Sequence, residues 1–400
     1  MNAMKSNIYF NGVSSSVKAD ILLVSGFLEG HTPFKYLGVP IVSGRLSMKN
    51  CVVLIDNVTA RIKIFGARKL SYSGRLILVN YVLTTLHSHW ATIFVILRGV
   101  LRRIDSICRN YLWDGSTEYL RSPLVIWEKV CTPKCEGGLG IRNSFYWNAA
   151  AIGKLAWWVY SKPDSLRVKW VSHIYLKGHD WSTYSPKPDV SWSWKTICKI
   201  KDTFLMGYSA GHWTYNLAGY TISSGYHWIR QPQPLVTLYN AIWNTWCVPK
   251  HTFINWLIAK EVLQLKSKLF LLGISHDDKC LICDSAAETH SHLFQYCTYT
   301  MKILGMISAF LNIRLPTQNT LMWVQAKPWA RLKKKVTNAW IQALYYYMWR
   351  QRNQVRIEGM LTHSDRVFHE IRCIMKTRSF FWNQYAKTSR EKAWLTSISS

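Results

Sequence analysis

The sequence has no uninterrupted apolar run of the roughly 18 residues that a membrane-spanning helix needs, so we expect no segment within a membrane. The first residues, Met1 to Lys5, lack the apolar stretch of a signal peptide, and we expect a protein that is not secreted. The ten cysteines do not have the spacing of a small disulfide-stabilised domain. Together these absences predict a reducing compartment, and the candidate nuclear signal described below favours the nucleus, otherwise the cytoplasm.

Acidic residues are scarce: Asp and Glu number 21 against 50 Lys and Arg, a formal net charge of +29. Such an excess repels itself in a compact chain unless a polyanion neutralises it, and nucleic acid is the usual partner, with a membrane surface second. The chain also has 21 Trp, 21 Tyr and 14 Phe. Aromatic faces beside cations suit base stacking next to phosphate contacts, although a single Trp more often belongs to the core. We therefore predict RNA and/or DNA as partners, bound through the backbone, and no membrane.

One short segment has the spacing of a zinc site. Its candidate ligands, in the pattern C-x2-C-x8-H-x4-C, are Cys280, Cys283, His292 and Cys297. Two thiolates two residues apart can hold one face of a tetrahedral zinc ion, and the His and last Cys can close the other. His290 is a rival third ligand, but the apolar Leu293 and Phe294 favour His292 by pinning a short helix after it. The alternative is three free cysteines near a histidine.

The patterns along the chain predict a mainly α fold with a short β remnant at the N-terminus. Strand and hairpin signals end near residue 45, and helical apolar spacing dominates from there to 160. A stripe formed by Trp340, Leu344, Tyr347 and Met348 indicates a buried helix face. The predicted units are 1–45, a β remnant with a hairpin; 46–160, helical; 161–235, a loop-rich linker; 236–310, the zinc module; and 311–400, a helical tail.

A glycine-rich turn, Gly137-Gly-Leu-Gly140, precedes a predicted helix from Asn143 to Tyr160. Such a loop can cradle a phosphate, but the spacing is not that of a P-loop or a dinucleotide fingerprint. The neighbouring Cys131 and Cys135 have no His or Cys partners at ligand spacing, so we interpret them as ordinary thiols.

Basic clusters mark candidate phosphate contacts. The predicted nucleic-acid-binding residues are Lys5, Lys63, Arg68, Lys69, Arg75, Arg102 and Arg103. For each one alone, a solvated helix face is about as good an explanation. The run Arg331 to Lys335 is a candidate nuclear signal with the same alternative.

Several strings together resemble one family, the reverse transcriptases of LINE-type (non-LTR) retrotransposons of plants. Val248-Pro-Lys-His-Thr-Phe, Cys280-Leu-Ile-Cys and Glu288-Thr-His-Ser-His-Leu-Phe-Gln-Tyr-Cys297 resemble the zinc-binding module, whose ligand His stands directly before Leu-Phe. Phe34 to Ile41 is similar to the primer-grip hairpin, and Leu70-Ser-Tyr-Ser-Gly-Arg75 to the thumb. Trp127 to Lys154 resembles the connector, and Trp349-Arg-Gln-Arg-Asn353 the tail. The resemblance implies a helical thumb and connector, a zinc cofactor and His292 as ligand.

The same resemblance implies that the chain starts after the catalytic motifs, because Asn2 to Ser6 is similar to a family segment that follows the polymerase aspartates. Polymerase chemistry needs clustered carboxylates to hold two divalent ions. The adjacent pair Asp277-Asp278 lacks a third carboxylate and a strand pattern, and we interpret it as a solvated turn. We therefore expect no enzymatic activity in this chain, with Lys5 a phosphate contact only in a complete enzyme.

The leading hypothesis is a noncatalytic, nucleic-acid-binding C-terminal fragment of such an enzyme. One alternative is that the chain complements a separately encoded polymerase palm. Others are a stand-alone zinc protein that binds DNA or RNA or recruits a partner, and a decayed remnant without function. Without the rest of a palm, residues 1–45 would leave apolar surface and strand edges uncovered.

Overall fold

The computed structural model describes residues 6–10, 12–36, 39–42, 46–64, 70–83, 89–118, 120–207 and 219–398. Over these residues the fold is mainly α, with a little β structure near the N-terminus, as predicted. The strands are β1 (Asn7–Ile8), β2 (Leu28–Glu29), β3 (Phe34–Tyr36) and β4 (Val39–Ile41).

The helices follow in two groups along the chain. The first group is α1 (Ser15–Ser25), α2 (Val52–Ile64), α3 (Tyr72–Leu78), α4 (Arg98–Asp114), α5 (Trp127–Val130), α6 (Ser144–Ser161), α7 (Leu166–Val171) and α8 (Trp192–Gly207). The second group is α9 (Ile222–Ile229), α10 (Tyr239–Ile242), α11 (Pro249–Ala259), α12 (Lys266–Leu271), α13 (Thr298–Leu311), α14 (Thr320–Ala326), α15 (Arg331–Glu358), α16 (Ser364–Asn383) and α17 (Ser389–Ser397). Short π-helical turns cover Val79–Leu83, Ser172–Leu176 and His292–Tyr296, and 3-10 turns cover Lys49–Cys51 and Lys134–Glu136.

The N-terminal β structure consists of two separate pairs. β1 and β2 are parallel, and β3 and β4 form the predicted antiparallel hairpin, with Phe34 opposite Ile41. The expectation of strand and hairpin alone was wrong for the stretch between β1 and β2, where α1 forms. Ser14 precedes this helix in an extended conformation and Gly26 ends it at φ +67°, a left-handed position that glycine adopts without strain.

The helical character of 46–160 is confirmed, and α4 shows why it forms. Most of its buried residues recur at helical spacing, and they are Val100, Leu101, Ile104, Ile107, Cys108, Asn110, Tyr111, Leu112 and Trp113. This face packs against α2 and α3, whereas Arg102 and Arg103 point to solvent. The helix predicted from Asn143 is also present, since the Asn143 side chain accepts hydrogen bonds from the amides of Phe145 and Tyr146 and caps α6.

The interpretation of 161–235 as a loop-rich linker is corrected by the structure. Helices α7, α8 and α9 lie in this stretch, and they pack with α6 around a buried aromatic cluster. The cluster contains Trp181, Tyr184, Trp194, Phe204 and Tyr220. The Ser, Pro and Gly residues indicated loops, but the scattered aromatic residues meet only in three dimensions, so the sequence did not show this second core.

A larger core runs through most of the rest of the described chain. It joins residues of α2 and α4, such as Leu54 and Ile104, to Trp256 of α11 and to Trp340 of α15. The predicted stripe of Trp340, Leu344, Tyr347 and Met348 is buried, as expected for a core face. The 28-residue α15 is therefore the central helix, contacting α11, α13, α14 and α16.

In the described part of the chain, no helix combines the length and apolar character needed to cross a membrane.

Helix α1 buries none of its residues, and Leu23 and Val24 are 84% and 87% exposed. Uncovered apolar surface was expected here. We predict that in timed trypsin digestion of the full chain, followed by mass spectrometry, cleavage after Lys18 precedes cleavage after Lys335 in the central helix, because exposed helices with few packing contacts open at low cost. Protection of α1 beyond that of α15 would contradict this prediction.

Candidate metal centre and nucleic-acid interface

A tight hairpin positions the first two candidate ligands. Lys279 and Ala287 form an antiparallel bridge, and the Cys280 amide donates to the Ala286 carbonyl at 2.8 Å. The turn closes where the Asp284 amide donates to the Cys280 carbonyl at 2.9 Å, with Asp284 in a left-handed conformation at φ +52°. This geometry brings the Cys280 and Cys283 side chains to the same side of the hairpin.

A π-helical turn positions the other two. Thr289 Oγ1 accepts from the His292 amide at 3.0 Å, and the Cys297 amide donates to the His292 carbonyl at 2.7 Å. Leu293 and Phe294 are buried in the core and hold the turn in place, as their position after His292 suggested. The wider π turn separates His292 from Cys297 by five residues and aims both at the hairpin.

The four side chains meet. The Sγ atoms of the three cysteines and a ring nitrogen of His292 all lie within 4.8 Å of one another, and Cys283 Sγ is 3.2 Å from His292 Nε2. A tetrahedral zinc ion with Zn–S about 2.3 Å and Zn–N about 2.0 Å places its ligand atoms about 3.5–3.8 Å apart. The donor set therefore fits zinc after small shifts: the widest separations contract, and the Cys283–His292 pair moves slightly apart. Among the described residues, these four side chains are the one group of three or more His, Cys, Asp or Glu that lie close enough together to hold a metal ion.

The pKa values of Cys280 and Cys297 depend on each other. A hydrogen bond between the two thiols raises the pKa of Cys280 and lowers the pKa of Cys297. Backbone amides of Ile282 and Cys283 act to lower the pKa of Cys280, and those of Tyr299 and Thr300 act likewise on Cys297. Because both sulfurs are buried, a cation between them would compensate the charge of a second thiolate.

His290, the rival ligand, lies outside this group. Its Nε2 is buried without a hydrogen-bond partner among the described residues, and burial lowers its pKa. The cysteines interpreted as ordinary thiols also lie elsewhere: Cys131 is buried beside α5, which raises its pKa. Asp277 accepts from the Lys266 ammonium and from the Lys279 amide, which lowers its pKa and fits the turn predicted for the acid pair.

The glycine-rich turn near Cys131 is explained by packing. A side chain at Gly138 would collide with the Thr132 carbonyl oxygen, and the Gly137 carbonyl accepts from the Trp256 indole at 2.9 Å. Backbone proximity therefore accounts for Gly138, and left-handed φ values of +88° and +75° account for Gly137 and Gly140.

A buried ion pair fixes the hairpin on the central helix. Glu288 and Arg352 are both at most 1% exposed, with Arg352 Nη2 2.8 Å and Nε 3.0 Å from Glu288 Oε1. The Glu288 carboxylate also accepts from the amides of Lys266 at 2.8 Å and of Leu281 at 3.2 Å. Leu281 stands between the two cysteines of the hairpin, so the carboxylate holds the metal-ligand turn directly. Sequence reasoning missed this pair, although both residues lie in strings that it singled out.

The predicted nucleic-acid-binding cations are found in three situations. Lys5, Arg68 and Lys69 lie outside the described residues. Arg75 is half-buried, and its Nη1 donates to the carbonyls of Leu112 and Trp113 at 3.4 and 3.2 Å, at the end of α4. The three remaining predicted cations are exposed: Lys63 on α2, and Arg102 and Arg103 on α4.

We use the name α2–α4 basic surface for three exposed cations on two packed helices: Lys63 on α2, and Arg102 and Arg103 on α4. All three are exposed, and none belongs to an ion pair within the described part of the chain. Their charges are therefore available to a solvent-borne polyanion.

Two lysines of the candidate nuclear signal, Arg331 to Lys335, contact aromatic rings of other segments. Lys333 lies over Trp329 at 4.8 Å and Lys335 over Trp246 at 4.9 Å, measured from Nζ to the ring centroid. Nuclear localisation stays a prediction.

With this geometry in place, two similarities to known proteins bear on the site. Residues 220–303 match the family described as zinc-binding in reverse transcriptase. The matched region contains all four candidate ligands and begins inside the stretch first interpreted as a linker. An Arabidopsis thaliana protein described as a putative ribonuclease H protein is 30% identical over 164 residues, which is 40% of this chain and 26% of that protein. The match thus spans about a quarter of the relative's length.

The Glu288–Arg352 pair yields a stability prediction. Glu288→Gln should lower the free energy of unfolding by about 3–5 kcal/mol, because it leaves the Arg352 charge buried without a counter-ion. Glu370→Gln is the matched control: its partner Arg350 is 50% exposed, and such pairs contribute less than about 1 kcal/mol. Urea unfolding of both variants measures the difference, and equal effects would contradict the assigned role of Glu288.

Proposed function

We propose that this chain is a noncatalytic, nucleic-acid-binding part of a plant LINE-type retrotransposon reverse transcriptase, stabilised by a structural zinc ion. The observation that carries the proposal is the Cys3His group inside a region that matches reverse transcriptase zinc-binding sequences. The order of the other strings along the chain supports the LINE-type assignment, and the Arabidopsis relative supports a plant origin.

Zinc would be held by Cys280, Cys283, His292 and Cys297. With four protein ligands it would have no open coordination position, so its role would be to cross-link the hairpin to the start of α13. The exposed rim of the site is narrow, because Cys280 and Cys297 are 1% and 0% exposed. A structural ion fits this burial better than a catalytic one.

Nucleic acid would bind through its phosphates. The α2–α4 basic surface presents unpaired cations, and the whole chain carries a charge of +29. Backbone contacts position a protein on RNA or DNA without reading sequence, so the proposal implies strong salt dependence and little base preference.

The proposal assigns no catalytic step to the chain. Several carboxylates of the described residues are dispersed and paired with cations, as Glu136 is with Arg230 and Glu288 with Arg352. A polymerase palm, in the same or a separate polypeptide, is the proposed protein partner. It would cover the apolar residues of α1, such as Leu23 and Val24.

Zinc content tests the metal site. Cys283→Ser should lose bound zinc and unfold the hairpin locally, because metal-binding energy also holds this fold. Cys135→Ser removes an equivalent thiol outside the group and should keep full zinc content. Elemental analysis of the purified proteins provides the measurement.

His292→Gln and His290→Gln separate the two histidines in the same assay. Only the first should reduce zinc content, and the Co²⁺-substituted proteins should show a changed ligand-field spectrum only for His292→Gln. Full zinc in Cys283→Ser or in His292→Gln would exclude the ligand set.

Salt dependence tests the nucleic-acid interface. For a labelled duplex, the logarithm of the association constant should fall linearly with the logarithm of salt concentration. The double variant Arg102→Gln/Arg103→Gln should make the slope less negative by about 0.9 per lost phosphate contact. Lys302→Gln/Arg366→Gln removes two exposed cations from α13 and α16 and is the matched control. Failure of the wild-type chain to bind nucleic acid would overturn the proposed function.

A further inference from the structure

Three segments that are distant in sequence meet around one cleft. They are 71–73 at the start of α3, 250–254 in α11 and 346–353 in α15, each within or next to a string singled out in the sequence. Ser73 Oγ donates to the Pro249 carbonyl at 2.7 Å, and the Tyr72 ring stacks on Phe253 at 5.0 Å. These contacts hold the first two segments together, and α11 packs along α15. We call the space between them the Trp349 cleft.

The charge of the Trp349 cleft has one sign. Lys250 and Arg350 line it, and none of the described residues that line it is acidic. Lys250 Nζ lies 5.1 Å from the centroid of the Tyr346 ring and forms no ion pair among the described residues. Arg350 has one carboxylate partner: its Nη1 lies 2.8 Å from Oε2 of Glu370, a residue that does not line the cleft. The cleft therefore complements a ligand that carries negative charge.

Its walls are aromatic. Tyr72, Tyr346 and Trp349 line the cleft together with the hydroxyl-bearing Ser71. The buried Arg352 guanidinium lies 5.4 Å from the Trp349 ring centroid and covers the ring from the protein interior. The cavity volume is about 300 Å³, at the lower end of the range for small-ligand pockets. That size suits one nucleotide unit and excludes a duplex.

We propose that the Trp349 cleft binds one nucleotide of a single-stranded RNA or DNA. The base packs against Trp349, and its phosphate is neutralised by Lys250 and Arg350. This assignment rests on the proposed nucleic-acid-binding function and adds to it a base-contacting site, separate from the α2–α4 basic surface. Stacking tolerates any base because every base has a π face, so the site adds affinity for single strands without sequence preference.

The first test compares two probes that differ only in their bases: fluorescein-labelled oligo(dT) of eight nucleotides and an abasic strand of the same length. Trp349→Ala in the full chain should weaken binding of the oligo(dT) about tenfold, since one stacking contact is lost. Binding of the abasic strand should change less than twofold. A merely structural role for Trp349 would affect both probes alike and would overturn the proposal.

Trp323→Ala is the matched control. Trp323 is also half-buried and has a cation over its ring, as Trp349 has Arg352: Lys327 Nζ lies 4.3 Å from the Trp323 centroid. Trp323 lies outside the cleft. Its removal should leave oligo(dT) binding unchanged. An equal loss in both variants would contradict a specific role for Trp349.

The phosphate contact is tested with Lys250→Gln against Lys327→Gln. Only Lys250→Gln should make the salt slope for oligo(dT) less negative, by about 0.7 for one single-strand phosphate. A parallel measurement with oligo(rU) distinguishes RNA from DNA as the favoured strand. Displacement of oligo(dT) by polyglutamate at equal charge concentration would instead indicate an acidic peptide as the ligand and would overturn the proposal.

If Trp349→Ala does not fold, crosslinking of the wild-type protein tests whether the nucleic acid binds in the Trp349 cleft. Oligonucleotides with 5-iodouracil or 4-thiouracil should crosslink to peptides that contain Tyr72, Tyr346 or Trp349. Crosslinks confined to other peptides, with binding intact, would overturn the cleft assignment and leave the proposed function standing. Absence of any nucleic-acid binding would instead overturn the proposed function itself.

Discussion

The buried contact between Glu288 and Arg352 is the constraint that holds the hairpin of the two candidate ligands Cys280 and Cys283. An ion pair at most 1% exposed is stable only when its remaining hydrogen-bonding sites are filled, because desolvation of two charges costs several kcal/mol for each ion. Here the carboxylate also accepts from two backbone amides, one of them within the metal-ligand turn. The interaction is directional, so it sets the position of the hairpin against α15 more narrowly than apolar packing would.

Buried pairing of carboxylates with arginines also occurs elsewhere in the molecule. Acidic residues are few, and several of those described are used inside, where Glu136 and Glu288 each hold a buried arginine. Aromatic rings make up much of the two cores, and lysines lie over many of the rings nearer the surface. Internal pairing leaves most of the positive charge outside. A basic surface on α2 and α4 and an aromatic cleft beside α15 are two consequences of that arrangement.

Local patterns predicted those features that local chemistry determines. The four zinc-ligand candidates meet because a two-residue spacing makes a knuckle and Leu293 and Phe294 pin the turn. The helix after Asn143 begins at its cap, and the Trp340 stripe is buried because its spacing is helical. Helix α1 and the aromatic cluster around Trp194 escaped prediction. In the first case strand-like neighbours masked a capped helix, and in the second the contacts join residues far apart in sequence.

The sequence by itself determined the mainly α fold, the group of four candidate metal ligands, and a formal net charge of +29. Each of these depends on residue type and short spacing, which a chain carries before it folds. Tertiary structure decided which cations remain free: Arg75 caps α4 through backbone carbonyls, whereas Arg102 and Arg103 stay exposed. It also decided that Glu288 meets Arg352, and that 71–73, 250–254 and 346–353 enclose one cleft. These depend on the packing of helices distant in sequence, and no local pattern encodes the distance between them.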